Sequence, residues 1–410
     1  MQRPLELPKE KITGELMYNK KMHHLGSVRS VIRELFEFGK KRALEVGADK
    51  VYDFSLGNPS VPAPECVNQA IKELVNEMPS TALHGYTSAQ GDLNVRKAIA
   101  EYINERFATK LGADSIYMTV GAAASLCITL RALSDGQDEF VTVAPFFPEY
   151  TVFTEATGAT LKVVPMKKDD FQVDLVEFEK AITPKTKGII LNSPNNPSGV
   201  VYTKETIIGV TTILRNKQRE YGHPIYLISD EPYRELVYGN VEVPYLMNYY
   251  NNTIVCYSYS KSLSLPGERI GYIALSDKLQ DERDIYACVC GAGRALGYVC
   301  APSLMQRVVE KCLRATPDIG EYKKNRDLIY GALTEMGYTC INPDGAFYLF
   351  VKALEDDANA FCDRAKQLGL LIVPGDTFGA PGFCRISYCV SYDMIKRSLP
   401  AFKELMESYK

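Results

Sequence analysis

The sequence predicts an α/β protein: a large domain with a mostly parallel central sheet flanked by helices, plus a smaller α+β domain. Three observations lead there. Between Ser115 and Leu275, short continuous apolar runs alternate with helical stretches, the pattern of strands covered on both faces. After about residue 300 this alternation stops, and two long helical stretches give way to short β-patterns. Finally, Gly57, Gly121-Ala122-Ala123, Phe147, Asn196, Asp230, Tyr233, Ser258 and Lys261 all fall where a strand ends or a helix begins. In an open parallel sheet the carboxyl ends of the strands line one crevice, and ligands bind there.

Taken in order, residues 1–22 read as a loosely ordered arm, and Ser27 as the cap of a helix from Val28 to about Val46 with Ile32, Leu35, Phe36 and Leu44 on its apolar face. A strand at Val51–Leu56 ends at Gly57-Asn58-Pro59, and Pro64 opens a helix to about Met78. Asp92 caps a helix to Phe107. Strands follow at Ser115–Val120, Glu139–Ala144, Leu161–Pro165, Gly188–Asn192, Ile225–Ser229, Thr253–Cys256 and Ile270–Leu275, with helices at Gly121–Leu133 and Thr203–Tyr221. The later segment reads as helices at Ser303–Ala315, Ile319–Met336 and Ala358–Leu368, with strands at Thr339–Ile341, Ala346–Val351 and Arg385–Val390. The expected organisation is residues 1–50 as arm and helix joining the small domain, 51–300 as the large domain and 301–410 as the rest of the small one.

The bulk numbers set limits. A chain of 410 residues suits two or three domains, or one large α/β core with an appendage, and 46% apolar with 24% charged residues is ordinary for a globular enzyme. A net charge of −3 carries no nucleic-acid footprint. No apolar run is long enough to span a bilayer, and Met1–Lys21 lacks the apolar region of a secretory signal, so a cytoplasmic location is expected. The 11 cysteines are scattered, mostly in apolar runs, which is buried-thiol usage rather than a disulfide framework. No second Cys/His pair accompanies Cys288 and Cys290, so no metal site is expected. The four histidines have no triad context.

The stretch from Ser258 to Arg269 carries the most chemistry. A lysine among small hydroxyl residues at the end of a buried strand is either an exposed turn residue or a nucleophile activated by desolvation. Arg269 adds a permanent charge eight residues on. A carbonyl cofactor with a phosphate tail would use all of them. Gly121-Ala122-Ala123 opens a helix directly after a strand, which suits either close helix–sheet packing or backbone donation to a phosphate. Neither a P-loop nor a Gly-x-Gly-x-x-Gly motif is present. Asp230 is either a helix cap or a carboxylate holding a ring nitrogen protonated. Tyr233 and Asn196 are candidates to bond a ring hydroxylate, though Asn-Pro is also a plain turn signal. Phe147 either stacks on a planar ring or fills core. Arg385 suits a carboxylate clamp or a surface ion pair. Arg294, in the glycine-rich stretch Gly291–Gly297, is either a second anion site or part of a flexible loop.

Together, Ser258-Tyr259-Ser260-Lys261 with Pro266-Gly267-Glu268-Arg269, Asn195-Asn196-Pro197-Ser198-Gly199 and Asp230-Glu231-Pro232-Tyr233 resemble the fold-type I, pyridoxal 5′-phosphate-dependent aminotransferases of class I/II. The resemblance runs from about Val28 to the C-terminus. It implies that Lys261 forms the imine with the cofactor and moves the Cα proton, that Asp230 pairs with the pyridinium nitrogen, and that Asn196 and Tyr233 contact the ring oxygen. Phe147 would stack on the ring. Backbone at Ala122 and Ala123, with Ser258 and Arg269, would hold the phosphate. Arg385 and the Gly57 backbone would bind the substrate carboxylate. Tyr86 matches a tyrosine that reaches the phosphate of a neighbouring subunit, implying a homodimer with shared sites. Arg294 lies about a residue from the arginine that binds a distal carboxylate in dicarboxylate-using members, implying aspartate and glutamate as donors to a 2-oxo acid in ping-pong order. The alternatives are an aminotransferase for alanine or aromatic amino acids, a carbon–sulfur β-lyase, and a non-catalytic cofactor-binding protein.

Overall fold

The computed structural model describes residues 18–28 and 31–410. Most of the expected arm therefore lies outside the described residues. Its last part begins a helix, Lys20–Ser27, capped by the Asn19 side chain. Ser27 thus closes this first helix instead of capping the next one, which runs Val31–Val46. Leu35 is buried on it, whereas Leu44 is exposed.

Twelve strands are present among the described residues: β1 (Tyr52–Asp53), β2 (Ile116–Thr119), β3 (Glu139–Val143), β4 (Thr160–Val164), β5 (Thr186–Asn192), β6 (Tyr226–Asp230), β7 (Thr253–Ser258), β8 (Gly271–Leu275), β9 (Tyr348–Lys352), β10 (Leu370–Leu371), β11 (Val373–Pro374) and β12 (Phe383–Ser387). Seven of them form the central sheet in the order β2-β8-β7-β6-β5-β3-β4. β8 is antiparallel to both neighbours, and every other pairing is parallel. The carboxyl ends of β2, β3, β5, β6 and β7 consequently share one rim with the start of β8.

The continuous apolar runs have the expected cause, because both faces of the sheet are covered. Ile190, Ile228, Ile254 and Ile273 pack with Leu126, Leu130 and Val289 on one face. Their chain neighbours Ile189 and Leu227 pack with Ile207, Val210 and Leu214 on the other. Alternating side chains point to opposite faces, so each face needs its own apolar set.

The C-terminal part carries a three-stranded antiparallel sheet, β11-β12-β9, in which Arg385 lies opposite Phe350 and Ser387 opposite Tyr348. It packs with the helices Ile319–Met336, Ala358–Gln367 and Tyr392–Glu407 around Phe347, Leu349, Phe361 and Phe402. Leu35 of the Val31–Val46 helix joins Phe350, Val373 and Phe378 in a neighbouring cluster. The helix Ser303–Lys311 instead packs with Val67, Ala70 and Val95 beneath the large sheet.

Three local expectations change. The strand expected at Val51–Leu56 forms only at Tyr52 and Asp53, paired with Leu370 and Leu371; beyond it Phe54 donates to the Leu371 carbonyl and accepts from the Ser387 N–H before the chain runs on to Gly57. Thr339–Ile341 is reduced to one bridge, Cys340 to Val351. Gly291–Gly297 is not a loop, because Glu282–Leu296 is a helix closed by Gly297 at φ 77°. Gly293 lies where a Cβ would overlap the Tyr117 hydroxyl, so this glycine serves close helix packing rather than chain flexibility. Among the described residues no helix is long and apolar enough to cross a membrane.

Candidate active site

The rim where the parallel strands end holds a cavity of about 200 Å³ lined by Ala122, Ala123, Phe147, Asn196, Asp230, Tyr233, Ser258, Lys261 and Arg269, together with Leu126, Asn192, Pro232, Ser260 and Pro266. Nine positions singled out from the sequence, drawn from five loops that follow different strands, thus meet in one place.

β6 ends on Asp230, which is buried. Its Oδ2 accepts from the Tyr150 hydroxyl at 2.5 Å, while Oδ1 is buried without any hydrogen-bond partner. Burial pushes this carboxyl up to about 7, against the pull of the Tyr150 hydrogen bond. The adjacent acid is different. Glu231 accepts from Arg234 through both carboxylate oxygens and from the Ser229 hydroxyl at 2.7 Å, so it is a satisfied structural pair. An unpaired buried carboxylate oxygen costs free energy and calls for a partner from the cavity.

β7 ends on Ser258, whose side chain accepts from the Ser260 backbone N–H and so starts the single turn Tyr259–Ser262. That turn aims Lys261 across the rim, where Nζ donates to the Gly57 carbonyl at 2.6 Å. Burial lowers its pKa to about 8; Cys389 opposes the shift, and Arg269 and Arg385 add to it. The lysine is thus the desolvated, cation-flanked amine, not the exposed turn residue. Labelling of the cofactor-free protein by an amine-directed aldehyde should follow a titration centred near pH 8 at Lys261; a midpoint near 10, as for an exposed lysine, would contradict the burial argument.

The helix Ala122–Leu133 begins at Gly121 with no side chain capping its first N–H groups. Gly121 has φ 97°, and a Cβ there would sit 3.0 Å from the Arg269 guanidinium, so glycine answers both demands. Arg269 Nη1 also donates to Ser260 Oγ at 3.3 Å and to the Pro266 carbonyl at 3.0 Å. Free helix N–H groups, two serine hydroxyls and a guanidinium converge as an anion cradle.

Arg385, on β12, is buried among aromatic rings, with its guanidinium 4.7 Å from the Tyr348 ring centroid and 4.9 Å from that of Phe378. Nη1 donates to Asn196 Oδ1 at 3.0 Å and Nη2 to the Ser55 carbonyl at 2.6 Å, leaving Nε buried without a partner. The surface ion-pair alternative therefore does not apply. Asn196 is fixed in turn by its backbone N–H, which donates to Asn192 Oδ1 at 2.7 Å.

Gly57 and Arg385 do not line the cavity but are tied to its lining through Lys261 and Asn196, whereas two further sequence candidates, Tyr86 and Arg294, stand apart from it. Tyr86 is 97% exposed, and Arg294 lies exposed on the last turn of its helix. Sequence reasoning missed Tyr150, Asn192, Ser260 and Tyr348. Asn192 and Ser260 were within motifs already noted, at the end of β5 and beside Lys261. Tyr150 and Tyr348 gave no signal, because each acts on a residue far away in the chain.

The residues fit pyridoxal phosphate. Asp230 Oδ1 lacks a donor such as a ring N–H, the cradle at Gly121–Ala123 suits a phosphate, and Lys261 lies in the same cavity. Among the described residues no group of three or more His, Cys, Asp or Glu is placed to hold a metal ion.

A model of the family described as aminotransferase class I and II matches residues 49–402. A probable aspartate aminotransferase of Methanocaldococcus jannaschii is 30% identical over 391 residues, which cover 92% of this chain and 97% of that one. Aromatic-amino-acid aminotransferase 2 of Thermococcus litoralis is 27% identical over 399 residues, covering 93% and 96%. A crystal structure of an amino transferase from Eubacterium rectale superposes with a TM-score of 0.95 at 59% identity, covering 96% of this chain and 100% of that one.

Proposed function

This chain belongs to the class I and II aminotransferases, and on that premise we propose that it moves the amino group of L-aspartate or L-glutamate to a 2-oxo acid, in ping-pong order, with pyridoxal phosphate as cofactor. The observation that carries this reading is the meeting, in one cavity, of a buried amine of lowered pKa with a buried carboxyl oxygen that has no partner.

When bound, pyridoxal phosphate supplies the carbonyl that condenses with amines and the ring that takes up the electron pair left at Cα. The chain does the rest. With a pKa of about 8, about one Lys261 amine in ten is neutral at pH 7 and able to attack a carbonyl. Once released by a substrate amine, Nζ would be the base that takes the Cα proton and hands it back. Asp230 Oδ1, buried without a partner, would accept from the ring nitrogen and hold its proton there. Asn196 and Tyr233 would meet the ring oxygen, Phe147 would cover the ring face, and the Gly121–Ala123 backbone with Ser258 and Arg269 would hold the phosphate. Arg385, with Nε free to donate, binds the α-carboxylate beside Gly57.

The working unit in this reading is a homodimer in the cytoplasm, serving amino-acid biosynthesis. Tyr86, Leu296, Tyr298 and Val299 are exposed, and the Cys300 N–H donates to the Ala89 carbonyl at 3.2 Å, so the loop that carries Tyr86 and the end of the Glu282–Leu296 helix with the chain that follows it lie together on one surface. Buried against a second copy, this surface would bring Tyr86 to the neighbouring phosphate and Arg294 to the distal carboxylate of the neighbouring substrate.

The test is an absorbance titration of the purified holoenzyme with aspartate, glutamate, alanine, phenylalanine and cysteine. Aspartate or glutamate should convert the yellow form to that of the aminated cofactor, and a 2-oxo acid should restore it. Arg294→Ala should weaken the response to aspartate and glutamate at least about tenfold while leaving alanine within about twofold. A response to alanine or phenylalanine alone would discard the dicarboxylate assignment. Stoichiometric pyruvate and ammonia from cysteine would point to the lyase.

A further inference from the structure

Tyr348, on β9, makes no direct contribution to the cavity lining. Yet it touches three parts of the site. Its hydroxyl lies 2.8 Å from the Tyr233 hydroxyl. The same hydroxyl occupies the space a Cβ would need at Gly57, whose carbonyl receives the Lys261 amine. Its ring face lies over the Arg385 guanidinium.

The two tyrosines are buried, and among the described residues neither hydroxyl has another hydrogen-bond partner. One proton lies between the two oxygens, and the other has no acceptor within the protein pair. Tyr233 lines the cavity, whereas the Tyr348 hydroxyl is packed against the Gly57 backbone. With a ligand oxygen in the cavity, the arrangement that satisfies both protons has Tyr348 donating to Tyr233 and Tyr233 donating to the ligand. A phenol that accepts one hydrogen bond is a stronger donor in the next. The ring has a separate role. Among the described residues no carboxylate stands within ion-pair distance of Arg385, so the buried cation is held between the faces of Tyr348 and Phe378.

We propose that Tyr348 is a positioning residue for amino transfer: its hydroxyl directs the Tyr233 proton into the cavity, and its ring orients Arg385 for the substrate carboxylate. This rests on the function proposed above and deepens it, since two parts of one side chain would govern two separate kinetic quantities.

The experiment compares Tyr348→Phe, which keeps the ring, with Tyr348→Leu, which removes both parts. Tyr348→Phe should lower kcat about 5- to 20-fold and leave the KM for the amino acid within about threefold. Tyr348→Leu should lower kcat similarly and also raise KM at least about tenfold. A readout independent of turnover is the pH midpoint of the bound cofactor's visible absorbance, which reports the proton shared by Lys261 and the ring oxygen. A weaker Tyr233 donor stabilises that oxygen less, so Tyr348→Phe should move the midpoint upward by about half to one unit. The other groups facing this proton, Asp230, Arg269, Arg385 and Cys389, are unchanged in the variant. An unmoved midpoint overturns the hydroxyl's role, and equal KM values in a folded Tyr348→Leu and in Tyr348→Phe overturn the ring's role. If the wild-type protein transfers no amino group, the proposed function fails, while the midpoint still decides the link between Tyr348 and Tyr233.

Discussion

Lys261→Ala is expected to lower turnover by at least about 10⁴-fold, some 5 kcal/mol of barrier, while leaving a folded protein that still binds pyridoxal phosphate without a covalent bond. Two losses combine. In the proposed mechanism the amine that condenses with the cofactor disappears, and so does the base that moves the Cα proton. The fold should tolerate the change, because Lys261 forms no ion pair among the described residues and its charge is disfavoured where it sits, by burial and by the nearby Arg269 and Arg385. The groups proposed to hold the phosphate, at Gly121–Ala123, Ser258 and Arg269, are untouched, so cofactor retention should fall far less than activity. Steady-state rates, the thermal midpoint and cofactor content after gel filtration together decide the matter. Full activity in the variant would remove Lys261 from the chemistry. Loss of folding would show that the amine's bond to Gly57 matters more to stability than its burial suggests.

Asp230→Asn has the second largest expected effect, and it should act in opposite directions on activity and on stability. With no carboxylate to hold the ring nitrogen protonated, the rate of Cα proton removal should fall about 10²-fold or more, seen as a slowed absorbance change in a single half-reaction. In the cofactor-free protein the same change should be stabilising, in a pH-dependent way. The folded carboxyl titrates near 7 against an ordinary value of 3.8, so ionising it opposes folding. Above pH 7 both folded and unfolded chains carry the charge and the whole cost is present, with a ceiling of about 4 kcal/mol. Below about pH 4 both are protonated and the cost vanishes. The variant should therefore have the higher thermal midpoint at pH 8, with the gain fading as pH falls from 7 to 4. A constant difference at all pH values would mean that shape or hydrogen bonding, not charge, governs this position. In the proposed mechanism the unpaired Oδ1 is a site where stability is given up for function.

Much of this was legible beforehand. The period of apolar residues marked the strands of the central sheet, since a strand buried on both faces has to be apolar throughout. Local chemistry marked Asp230, Asn196, Lys261 and Arg269, because polar side chains at the ends of such strands are conspicuous. Glycine was less informative. Gly121 answered a left-handed backbone and a close guanidinium, while the glycines before Arg294 lay in a helix and their spacing misled. A strand pattern also failed where the partner was short: Val51–Leu56 finds only two residues of β10 to pair with.

What the sequence by itself determined is therefore the kind of fold and most of the polar groups that line the cavity, both of which are written in local patterns of a few residues. What only the tertiary structure decided is which group meets which. Tyr150 was chosen for Asp230 80 residues away, Gly57 for Lys261 204 away, and Ser55 for Arg385 330 away. Such pairings depend on strand order and register, which place residues side by side regardless of their separation in the chain. The same physics separates Asp230 from Glu231. They are adjacent in sequence and alike in charge, but successive residues leave a strand end in different directions, so one meets Arg234 and the other faces the cavity.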